Sequence, residues 1–150
     1  MTSTRPQQST AATGHTSIRD AHTQSAPTPG VLLIDDDPTF CALVEAFGRK
    51  INVPVRHMSS VLELKSMQEL SDIGVAIIDY HLEGSSGVET ADLISQFHPD
   101  LPVIVISGDN LHRRDAHEGW PQSVKQFVPK SAGVGQILGV ARTLMSKSAR

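Results

Sequence analysis

Five short apolar runs punctuate the chain: Val31-Leu32-Leu33-Ile34, Val53 to Met58, Val75-Ala76-Ile77-Ile78, Val103-Ile104-Val105-Ile106 and Val124 to Val128. Between them the apolar residues change period. Phe40, Leu43, Val44 and Phe47 recur at helical spacing, as do Val88, Ala91, Ile94 and Phe97, and most clearly Val134, Ile137, Leu138, Ala141 and Met145. Short strands alternating with amphipathic helices predict an α/β domain, with a five-stranded parallel sheet covered by helices on both faces. The first, third and fourth runs are almost purely aliphatic, as central strands buried on both faces require. The second carries Pro54, Arg56 and His57 and is expected at an edge. Ser60 followed by Glu63 resembles a capping box, opening a helix that holds Leu64 and Met67. The fourth helical segment, Leu111 to Glu118, is mostly polar, ends at Gly119-Trp120-Pro121 and predicts only a weak helix.

Composition bounds this domain. The chain has 150 residues, room for one ordinary core. Residues 1–30 hold eleven Ser or Thr and only Met1 and Ile18 among the large aliphatics, Met and Phe, and they close on the breaker cluster Ala26-Pro27-Thr28-Pro29-Gly30. They are read as a disordered extension, with the domain over 31–147 and a tail at 148–150. The extension lacks the apolar stretch of a secretory signal and shows no amphipathic period of a transit peptide. A net charge of −3 offers no basic footprint for nucleic acid, and no run reaches the length that spans a bilayer, so neither partner is expected. The single cysteine, Cys41, excludes an internal disulfide, is read as core, and is compatible with a cytoplasmic setting.

Ligands of an open parallel sheet bind outside the carboxyl ends of its strands. There the sequence places Asp35-Asp36-Asp37 after the first run, Asp79 after the third, Ser107 after the fourth and Lys130 close behind the fifth. Clustered carboxylates repel one another unless they share a cation. Mg²⁺ suits them, because it takes a few carboxylate oxygens together with waters and a phosphate. The lysine and hydroxyl would then complete a site for phosphoryl oxygens, where an aspartate can act as nucleophile and form an acyl phosphate. Each residue alone has a plainer reading. Asp35-Asp36-Asp37 before Pro38 can cap a helix, Asp79 can begin a turn, Ser107 can bond locally and Lys130 can be a solvated charge. What favours the site is their conjunction at strand ends, at intervals of 43, 28 and 23 counted from Asp36.

Over about residues 31–147 these segments resemble the receiver domains of bacterial response regulators. VLLIDDDP resembles the family's first strand with its acidic pair, Asp35 and Asp36. IIDYHLEGSSGVE resembles the phosphoacceptor segment, with Asp79 as acceptor and Gly87 eight residues on. VIVISGDN carries Ser107 at the family's Ser/Thr position, and KQFVPKS supplies Lys130 with Phe127 in the place of the switch aromatic. The resemblance implies a flavodoxin-like, doubly wound sheet of strand order 2-1-3-4-5. It implies Mg²⁺ held by Asp36, Asp79 and the His81 backbone carbonyl, with Asp35 acting mainly through water. A histidine kinase or histidine phosphotransfer protein would donate the phosphoryl group to Asp79, and Ser107 and Lys130 would bind its oxygens. Drawing these two inward would let Phe127 reorient and change the face made by the fourth helix, fifth strand and fifth helix. A downstream effector, or a second copy in a phosphorylation-dependent dimer, would meet that face. Two departures cloud the loops: Ser131 follows Lys130 where many relatives have proline, and Glu83 stands where proline is frequent. The His81 side chain is read as a surface loop residue.

The leading reading is thus a single-domain response regulator of a two-component phosphorelay. It is a phosphoprotein that assists its own aspartyl phosphorylation and dephosphorylation rather than an enzyme acting on others. Only Ser146 to Arg150 follow the last helix, so output is expected through a protein partner. The alternatives are a receiver-fold binding module that works without phosphorylation, a receiver fragment of a larger regulator, and a phosphatase of the haloacid dehalogenase type with its nucleophile among Asp35 to Asp37.

Overall fold

In a computed structural model that describes residues 28–108 and 119–148, the strands are β1 (Gly30–Ile34), β2 (Val55–Met58), β3 (Ile73–Asp79), β4 (His81–Leu82), β5 (Ser85–Ser86), β6 (Val103–Ser107) and β7 (Val124–Pro129). The described helices are α1 (Pro38–Lys50), α2 (Gly87–Phe97) and α3 (Val134–Ser148). Five parallel strands form one sheet in the order β2-β1-β3-β6-β7, which is the expected 2-1-3-4-5 once the short β4–β5 ladder is set aside. The polar second run is an edge strand, as expected, and begins at Val55 rather than Val53.

Although β1 and β6 read as uninterrupted aliphatic runs, their side chains divide by period two between two cores. Val31, Leu33, Ile104 and Ile106 pack with Phe40, Cys41 and Val44 of α1 and with Ile137, Leu138 and Ala141 of α3. Leu32, Ile34, Val103 and Val105 pack on the opposite face with Ala91 and Ile94 of α2. All four residues Val31 to Ile34 are fully buried, so shortening any one, as in Leu33→Ala, removes packing worth about 2–5 kcal/mol.

Two expected stripes turn out differently. On α1 the buried residues are Phe40, Cys41, Val44 and Gly48, while Leu43 is exposed. Gly48 turns that face inward because the helix lies tight against the edge strand: a Cβ there would come within 2.6 Å of a Val55 methyl and 2.8 Å of the Val53 carbonyl oxygen. On α2, Phe97 is the last helical residue and is exposed rather than part of the core stripe.

The helix expected after Ser60 does not form. The segment makes two short 3₁₀ turns, Val61–Glu63 and Met67–Leu70, joined through Leu64 in an extended conformation with φ −70° and ψ 131°. Two Ser-x-x-Glu caps lie six residues apart and each closes its own turn. Ser60 accepts from Leu62 N while the Glu63 carboxylate reaches back to Ser59 N, and the capping box belongs instead to Ser66 with Glu69. The expected weak fourth helix, Leu111 to Glu118, lies outside the described residues, as do residues 1–27 of the expected extension.

Candidate functional site

Strand register brings the polar residues together. Ile34 pairs with Ile78, so the next residues, Asp35 and Asp79, stand level at the carboxyl ends of β1 and β3. Asp79 pairs with Ile106, and Ser107 pairs with Pro129, immediately before Lys130. Asp35, Asp79 and Ser107 are buried, whereas Asp36 is exposed.

The Lys130 ammonium bridges the two buried acids, at 2.8 Å from Asp35 Oδ2 and 3.1 Å from Asp79 Oδ2. It also stands 4.6 Å from the centroid of the Phe40 ring. The other acid oxygens hold the surrounding backbone: Asp35 Oδ1 accepts from Asp37 N at 2.9 Å, Asp79 Oδ1 from His81 N at 3.3 Å, and Asp36 Oδ2 from Glu83 N at 2.8 Å. Asp37 takes the plainer role. Its side chain caps α1, accepting from Thr39 N and Phe40 N ahead of Pro38, so the run of three aspartates divides between site and helix.

Burial pushes the Asp79 carboxyl above its ordinary range; Lys130 pulls it down, and the Asp35 charge adds to the rise. Burial also works against the Lys130 ammonium, but its bonds to Asp35 and Asp79 outweigh this and its pKa is raised. Three carboxylates facing one ammonium leave two net negative charges. Carboxylate oxygens of Asp35, Asp36 and Asp79 lie within 4.8 Å of one another, the one such acidic or metal-ligating cluster among the described residues. Oxygens on opposite sides of Mg²⁺ are about 4.2 Å apart and of Ca²⁺ about 5 Å, so a spread within 4.8 Å is that of a hard divalent cation. Asp35 Oδ2 is buried and held by the Lys130 ammonium at 2.8 Å, and a carboxylate oxygen with two lone pairs keeps capacity for a second partner. The donor set therefore fits a hard divalent cation.

Gly87 explains the glycine at eight residues beyond Asp79. It opens α2 so close to the acceptor that a Cβ would lie 2.6 Å from the Asp79 carbonyl oxygen and 3.0 Å from Tyr80 Cα. The Lys130–Ser131 peptide is trans, like every peptide bond among the described residues. Phe127 is half-buried, with its ring 5.4 Å from that of Trp120, which lies 5.9 Å from Tyr80 beside the acceptor. Sequence reasoning missed both this aromatic group and the Phe40 ring beneath Lys130; neither carries a spacing signal, because contacts between separate elements have no period. Cys41 is buried in the core as expected, donating its Sγ–H to the Asp35 carbonyl oxygen, and burial pushes its thiol up to about 11. No described helix is long and apolar enough to cross a membrane.

Comparison with known proteins bears on the fold and the family. The transcriptional activator protein ExaE of Pseudomonas putida is 28% identical over 78% of this chain and 55% of its own length. The chain spans about half the length of the curated relatives it matches. A response regulator receiver domain protein from Clostridium thermocellum superposes with a TM-score of 0.71 at 20% identity, covering 81% of this chain and 97% of that one. The response regulator TrrA of Thermotoga maritima, solved in complex with Mg²⁺–BeF, superposes with a TM-score of 0.65 at 20% identity, covering 77% and 98%. The family model of the response regulator receiver domain matches residues 31–142. By that match and by its five-stranded sheet of matching order, the chain belongs to the response regulator receiver domain family.

Proposed function

We propose that this receiver accepts a phosphoryl group on Asp79 from a histidine kinase or histidine phosphotransfer protein, and signals by changing a protein-binding face. The observation that carries the reading is Lys130 bridging Asp35 and Asp79 at the carboxyl ends of β1 and β3, beside the exposed Asp36. An Asp79 carboxylate oxygen attacks phosphorus and the P–N bond of phosphohistidine breaks. The electron pair passes to the imidazole nitrogen, and Asp79 becomes an acyl phosphate. Asp36, Asp79 and the His81 backbone carbonyl would hold Mg²⁺, with Asp35 assisting through water, and the cation would supply charge neutralisation at the phosphoryl oxygens. Lys130 and Ser107 would bind those oxygens. Lys130 then exchanges a carboxylate partner for a phosphoryl oxygen, and Phe127, three residues before it on β7, transmits the change. The domain is taken as residues 31–147.

Output through a protein partner in the cytoplasm, a phosphorylation-dependent dimer and stand-alone action belong to this proposal as well. The relatives extend beyond the region they share with this chain, and the transcriptional activity in the name of ExaE is that protein's own.

The test is incubation with acetyl phosphate and Mg²⁺, followed by intact mass. A gain of one phosphoryl group in wild type, lost in Asp79→Asn, is the expected result. Wild type that takes no label and shows no Mg²⁺-dependent response to beryllofluoride in Trp120 fluorescence overturns the reading. Such a chain would then be a receiver-fold binding module that works without phosphorylation.

A further inference from the structure

Lys130 reaches the acids from the turn that follows β7, and only part of its surroundings is carboxylate. A primary ammonium has three N–H donors. Two are engaged near Asp35 Oδ2 and Asp79 Oδ2, and the Phe40 ring stands 4.6 Å away. An aromatic face attracts the charge through its quadrupole but does not compete for a hydrogen bond as water or a third carboxylate would. It thus steadies the ammonium while leaving donor capacity for an incoming oxygen.

Phe40 is itself held in place. It lies in the first turn of α1, its N–H directed at the Asp37 cap, and its ring is packed in the core shared with Ile104, Ile106 and Val128. The stretch Asp35 to Phe40 therefore acts as one unit. Asp35 and Asp36 supply acids, Asp37 and Pro38 start the helix, and that start fixes the ring beneath the lysine.

We infer that Phe40 is a positioning residue for phosphoryl transfer, holding the Lys130 ammonium between Asp35 and Asp79 through a cation–π contact so that it meets the incoming phosphoryl oxygen. This rests on the phosphoacceptor reading above. Phe40→Leu keeps an apolar side chain and removes the ring; Phe40→Tyr keeps the ring. The expected rate of labelling by acetyl phosphate at saturating Mg²⁺ falls about threefold to tenfold in Phe40→Leu, and stays within about twofold of wild type in Phe40→Tyr. The affinity for Mg²⁺ alone is expected to be unchanged in both. A second readout is independent of phosphorylation: the ring-current shift of the Lys130 ε-methylene protons in NMR, expected in wild type and Phe40→Tyr and abolished in Phe40→Leu.

If wild type labels and Phe40→Leu labels equally fast, or if leucine and tyrosine slow the reaction alike, the positioning role is overturned while the acceptor role stands. If Lys130 shows no ring-current shift in wild type, the contact itself is refuted. If wild type takes no label, the acceptor reading falls, and this inference about the reaction falls with it whatever the NMR shows. Melting temperatures of the two variants identify any loss that comes only from unfolding.

Discussion

Asp79 is buried beside a second buried aspartate, and its ionised form is disfavoured first by burial, with Lys130 only partly compensating. The folded chain therefore binds the Asp79 proton more tightly than the unfolded one. Stability contributed by this group is fully present below the unfolded value and is lost as pH rises through the folded value. In Mg²⁺-free buffer at pH 7, Asp79→Asn should accordingly raise Tm, by about 2–5 °C, and the difference should vanish below the ordinary aspartate value of 3.8. An equal shift at both pH values in thermal unfolding would show that the ionised carboxylate is not the cause. Gly87 is constrained by contact rather than by charge. In Gly87→Ala the new methyl would meet the Asp79 carbonyl oxygen and Tyr80 Cα, both backbone, so a substitution that favours helices elsewhere should here cost about 1–3 kcal/mol, read from the urea midpoint.

At the scale of elements, the departure is the segment between β2 and β3. Ser60 and Ser66 each start a turn, and Glu63 and Glu69 each satisfy donors at that start, so two local solutions replace one continuous helix. A helix gains stability by propagating beyond its first turn, and here propagation stops at extended Leu64. What ties the second turn to the sheet is largely Leu70, fully buried, and Arg56 of β2, which donates to the Glu69 carbonyl oxygen and pairs with Asp72. Hydrogen exchange should therefore find the amides of residues 61–69 opening locally, about a hundredfold faster than those of β1 and β3, which exchange only with global unfolding. Equal protection in both would mean that the segment belongs to the main cooperative unit.

For the whole molecule, the acid cluster couples its fold to its ligand. Asp35 and Asp36 follow β1 and Asp79 ends β3, so the trio converges only when the sheet is paired. A cation bound by the folded chain alone stabilises it by about 2.7 kcal/mol at a hundred times its Kd. Mg²⁺ at that level should raise the wild-type Tm by about 10 °C and raise that of Asp36→Asn markedly less. Asp36 is exposed, so its loss should leave the metal-free fold intact. A Tm indifferent to Mg²⁺ in wild type would rule out the proposed metal site.

The amino-acid sequence by itself determined the architecture and pointed to the residues that gather at the candidate site. Aliphatic runs such as Val103 to Ile106 are readable because burial on both faces demands them, and the stripe from Val134 to Met145 because a helix has one inward face. Asp35, Asp36, Asp79, Ser107 and Lys130 were legible because strand ends in a parallel sheet converge on one edge. What only the tertiary structure decided is how neighbouring elements meet. The exposure of Leu43 and Phe97, the inward turn of α1 at Gly48 and the ring of Phe40 under Lys130 are long-range contacts that leave no local period. The two turns at residues 61–70 were hidden for a different reason: both Ser-x-x-Glu starts are good local helix signals, and that each closes its own short turn goes with the burial of Val61 and Leu70 against the sheet, a long-range contact.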